Sequence, residues 1–141
     1  MKTTLLLTFA LAVVTAHAQK TTRETVAQVR GVDITKAVTE GPDGTQNVRF
    51  YMMGQNAQYT HITDIISIKY GTAEQIGELL VECMKFLPEK KGTTLQFKGN
   101  TIGATGGNYI VIWGEGHDDR GNVVLNKSQI TKLLQGLRKH L

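Results

Sequence analysis

Glu115-Gly-His117-Asp118-Asp119-Arg120 is the densest group of side chains able to do chemistry in this chain. An imidazole beside carboxylates can hold a metal or move a proton. The stretch lacks the alternating acidic order of a calcium loop, and no second histidine stands at a ligand-like spacing from His117. Asp-Asp-Arg-Gly-Asn also makes a good polar turn between strands, and this is the preferred reading. His117 with Asp118 or Asp119 therefore stands only as the catalytic candidate of an alternative, a small hydrolase. His61 and Asp64 form a weaker pair, because three residues apart in a strand means opposite faces.

Gly103-Ala-Thr-Gly106-Gly107 has the glycine content of a phosphate loop, but the phosphate loop needs a strand before it and a helix after it. Here strands lie on both sides, so it reads as a bend. Cys83 is the single cysteine; it falls on the apolar face of a helix, where a thiol acts as a small hydrophobe and a poor nucleophile. An aromatic set remains. Arg49, Tyr51, Tyr59, Tyr109 and Trp113 are of the types that dominate binding surfaces. Arg49, Tyr51, Tyr109 and Trp113 are the binding candidates if they share an outer sheet face, although core positions for Tyr109 and Trp113 are the preferred reading. The pattern calls for no metal and no cofactor.

Two helices must position these groups. In Gln75–Leu87, Ile76, Leu79, Leu80, Cys83 and Leu87 line one face; in Gln129–Leu141, Ile130, Leu133, Leu134, Leu137 and Leu141 repeat it. These are amphipathic helical spacings. Thr72 with Gln75 makes a capping box, Pro88 ends the first helix, and Asn126 or Ser128 caps the second. Glu74, Glu78 and Glu82 form a stripe on the first helix's outer side.

Strands are expected at Thr25–Val38 (with a bulge near Gly31), Asn47–Met53, Ile62–Tyr70, Thr94–Lys98, Thr101–Ile102, Tyr109–Trp113 and Asn122–Leu125. Gly41-Pro42-Asp43-Gly44 and Gly99-Asn100 supply turns. Residues 19–24 read as a loose polar stretch. The expected architecture is α+β: one antiparallel sheet of six or seven strands, with both helices on one face and the other face (Arg49, Ser67, Lys69, Gln96, Lys98) solvated. The repeated helix pattern raises an internal duplication of two βββα halves as an option.

Residues 1–18 carry Lys2, an apolar run from Leu5 to Val14 and Ala16-His17-Ala18, the pattern of a cleaved signal peptide and too short for a membrane span. The expectation is an exported chain, periplasmic or secreted, with one domain over residues 19–141. Without Lys2, fifteen Lys and Arg stand against twelve Asp and Glu, a net charge of +3. The excess is scattered, which argues against a nucleic-acid partner. The leading functional expectation is a non-catalytic module that binds a protein or another extracellular ligand; a subunit of a cell-surface assembly is a further alternative.

Overall fold

The computed structural model describes residues 19–55, 65–115 and 121–141. The chain runs β1 (Lys20–Val29), β2 (Val32–Glu40), β3 (Gln46–Gln55), β4 (Ile65–Gly71), α1 (Ala73–Phe86), β5 (Thr94–Phe97), β6 (Asn100–Ala104), β7 (Tyr109–Trp113), β8 (Asn122–Asn126) and α2 (Lys127–Leu137), followed by a 3-10 turn at Arg138–His140. The strands form two four-stranded antiparallel meanders, β1-β2-β3-β4 and β5-β6-β7-β8.

This corrects the expectation of one sheet of six or seven strands with both helices on one face. Each meander is complete before its helix begins, so the repeated element order is ββββα and not βββα. Two local features account for the strand count. Thr25–Val38 is not one strand: Gly31 takes a φ of 77°, and Arg30-Gly31 turns the chain so that Val29 pairs with Val32. Once β2 is fixed as a separate strand, the polar residues Lys20–Glu24 gain a partner and pair with Lys36–Glu40. Further on, the second hairpin turns at Lys98-Gly99, both at positive φ of 44° and 90°, the backbone of a two-residue type I′ loop. Asn100 thereby enters β6 instead of the turn.

The division into two sheets is enforced at β4. A bulge shifts the register there, so that Met52 faces Lys69 and Met53 faces Ser67, leaving Ile68 unpaired. An inserted residue resets strand parity. Lys69, placed on a solvated face by simple alternation, is buried at 6 % exposure, while Tyr70 is 57 % exposed. Asn100 Nδ2 donates to the carbonyl of Ile68 at 2.7 Å, and a Cβ at Gly114 would stand 2.7 Å from the Ser67 carbonyl oxygen. With its free carbonyl taken by a side chain and its flank pressed against the second sheet, β4 has no room to accept a fifth strand.

Both helices touch both sheets. α1 packs on β3, β4 and β6, α2 packs on β1, β2 and β8, and the helices pack on each other. One continuous core results, running from Ile34, Met52 and Ile68 through Ile76, Leu79 and Leu80 to Ile110, Ile112, Ile130 and Leu133. Both helices start with reciprocal capping boxes, Thr72 with Gln75 and Asn126 with Gln129. The acidic stripe of α1 is relieved by cations: Glu78 pairs with Lys98 and Glu82 with Lys85. Among the described residues no helix is long and apolar enough to cross a membrane.

Candidate functional site: the outer face of the second sheet

His117, Asp118 and Asp119 lie outside the described residues, as do Tyr59, His61 and Asp64. The four binding candidates are described, and they separate into two pairs. Arg49 and Tyr51 alternate with the buried Phe50 and Met52, so they stand on the outer face of the first sheet. There Arg49 and Arg23 flank Ala37, which is 4 % exposed despite facing outward, and Tyr51 pairs with Tyr70. Tyr109 and Trp113 alternate with the fully buried Ile110 and Ile112, so they stand on the outer face of the second sheet. The structure brings Tyr109 and Trp113 onto one surface and leaves Arg49 and Tyr51 on another.

The second sheet's outer face is built from alternation on four short strands. Buried Ile102, Ile110, Ile112, Val123 and Leu125 point to the core. The opposite parity presents Thr94 and Gln96 on β5, Thr101 and Gly103 on β6, Tyr109, Val111 and Trp113 on β7, and Asn122 and Val124 on β8. Tyr109 is 49 % and Val124 47 % exposed. The four strands contain no Asp, Glu, Lys or Arg. The first sheet differs sharply, with Lys20, Arg23, Glu24, Asp33, Lys36, Glu40 and Arg49 in its strands.

Trp113 is held from two sides. Its carbonyl accepts Asn100 Nδ2 at 3.0 Å from beneath the sheet. Above, its ring lies across Gly103, where a Cβ would come within 2.7 Å of the ring carbon Cζ3. Glycine is required there by the ring and not by backbone dihedrals. Gln96 and Thr101 join side chains at 2.8 Å beside it, and Thr105 Oγ1 donates to the Tyr109 carbonyl at 2.8 Å, fixing the turn that leads into β7.

Beneath this face, Lys69 Nζ donates to the Lys98 carbonyl at 2.8 Å and pairs with the Glu115 carboxylate. With Asn100, this polar group joins β4 to the end of the second sheet. Asn100 Oδ1 is buried without a donor among the described residues. Among the described residues this group ties β4 to the second sheet through Lys69, Glu115 and Asn100.

Cys83 is fully buried, and burial, followed by the neighbouring Glu82 charge, pushes its thiol up to about 12. It is therefore a protonated core group. A groove of about 390 Å³ between the end of α1 and the β6–β7 turn is lined by Met84, Leu87, Pro88, Gly107, Asn108 and Lys127, and among the described residues Lys127 is its one ionisable group, which offers no acid–base pair. Among the described residues no group of three or more His, Cys, Asp or Glu could hold a metal ion.

The sequence reading places Gly103 in the bend at 103–107 and Asn100 in a turn, whereas β6 runs from Asn100 through Ala104, and it gives Val124 no role. The signal that could have found the face is the run of uncharged strand segments after residue 93, legible without any coordinates. Comparison with protein families, with curated proteins and with solved structures gave no match.

Proposed function

We propose that the chain is an exported, non-catalytic binding module whose binding surface is the outer face of the second sheet. The observation that supports this reading is the uncharged, partly exposed row Tyr109–Val111–Trp113 with Val124 beside it. Exposed sheet surfaces usually carry interspersed charges, which keep sheets soluble and separate. A face that omits every charge while showing Tyr and Trp has the composition of a recognition surface. The leader pattern at residues 1–18 supports action outside the cytoplasm.

A retention assay on insoluble cell-envelope material tests the reading. The mature chain should co-sediment with that material, and Val124→Lys should weaken retention by about tenfold or more, because a desolvated lysine opposes burial of the face. The exposed position makes the substitution harmless to the fold. Undiminished retention of Val124→Lys would remove this face from the function. Turnover of ester, peptide or phosphoester substrates that disappears in His117→Ala would establish the hydrolase instead.

A further inference from the structure

We infer that the ligand of this face is a neutral polysaccharide chain, an inference that rests on the binding reading above. Three observations point the same way. The first is electrostatic: none of the four strands carries a charged side chain, so an acidic or basic ligand laid along the strands would find no counter-charge on them.

The second is the posture of Trp113. Its ring atoms Cζ3 and Cη2 fill the place of a Cβ over Gly103 on the outer side of the sheet, and the residue stays partly exposed there. An outward aromatic plane accepts the axial C–H groups of a sugar ring, which carry partial positive charge toward the π cloud. Tyr109, nearly half exposed, stands four residues along the same strand, about 13 Å away at the usual rise. That span exceeds a single sugar ring, so the two aromatics would engage different units of one chain.

The third is the polar complement. Gln96 and Asn122 stand near Trp113 on the same face, Asn122 opposite it and Gln96 one strand beyond the buried Thr101, and their amides offer uncharged donors and acceptors of the kind hydroxyl groups use. An acyl chain would need a concavity, whereas these groups stand on the outside of a sheet.

Trp113 is the chain's single tryptophan, so its fluorescence reports contact at this face directly. The mature protein is titrated with neutral glucan, mannan and xylan oligosaccharides from disaccharide to hexasaccharide, with oligogalacturonate as the acidic control. At least one neutral series should give a saturable emission shift, with affinity rising about tenfold or more between the short and long members. Tyr109→Ala should weaken the hexasaccharide by about tenfold while changing the disaccharide little. The acidic control should not shift the emission. If no neutral series shifts the emission, or if oligogalacturonate binds more tightly, the glycan assignment is overturned. Retention on envelope material that Val124→Lys still abolishes would then leave the binding face standing with another ligand. Concentration-dependent dimerisation that protects Trp113 would overturn the assignment in favour of self-association.

Discussion

Lys69 and Glu115 are unequal partners, and that inequality can be measured. The lysine side chain is 8 % exposed and the glutamate 30 %. Removing the glutamate strands a buried ammonium; removing the lysine frees a carboxylate that can turn to water. Glu115→Ala is expected to cost about 3 kcal/mol in a denaturant melt, and Lys69→Met about 1 kcal/mol or less, because its apolar replacement fits a buried site. Equal costs would show that Glu115 does not compensate the buried charge. Cys83 carries a second prediction. Burial, and after it the Glu82 charge, pushes the folded thiol from the ordinary 9.0 up to about 12. Between those values the unfolded chain loses the proton while the folded chain keeps it. Stability is therefore whole below about pH 9 and falls as pH rises toward 12. The wild type should lose more stability across that window than Cys83→Ala, and native Cys83 should react with thiol reagents only as fast as the protein opens. Rapid native labelling at pH 8 would contradict its burial.

At the scale of elements, the helices were legible in the sequence and the strand pairing was not. Ile76, Leu79, Leu80 and Cys83 are fully buried, because helix-facing residues are set by local spacing. The second helix follows the same rule less completely: Ile130, Leu133 and Leu137 are buried, Leu134 is half-buried and Leu141 is 61 % exposed. Strand parity failed where a bulge intervened. Nothing in Ile66-Ser67-Ile68-Lys69-Tyr70 announces that one residue will be skipped, since the skip is decided by the partner strand and by Asn100. The β1–β2 turn was hidden for a related reason, Arg30-Gly31 being a weak turn signal inside a β-branched run. The candidate surface was half legible: Tyr109 and Trp113 could be named, but the partition of Arg49 and Tyr51 onto another sheet is non-local information. Gly136 tests how closely the elements fit. A Cβ there would lie 2.6 Å from Ala27 Cβ and 2.7 Å from the Val26 carbonyl oxygen, at the β1 bulge between Thr25 and Ala27. Gly136→Ala gains about 1 kcal/mol of helix propensity yet should destabilise the protein by about 1–3 kcal/mol through overpacking. A rise in melting temperature would show that α2 stands off from β1.

At the scale of the whole molecule, the two sheets divide the work. The first, with charged residues in its strands, wraps α2 along β1 and β2 and presents a soluble exterior. The second carries no charged side chain in its strands, and Trp113 in its outward row is seated over Gly103 and held through its carbonyl by Asn100. The core they share is continuous, so the face on the second sheet rests on the rigidity of the full fold. The most direct test of its use is collisional quenching of Trp113 by acrylamide, with and without envelope material that has retained the protein. The account predicts that the free protein is readily quenched and that retention sharply lowers the quenching constant. Quenching that stays the same in the retained protein would contradict it, because the chain would then be held by some other surface.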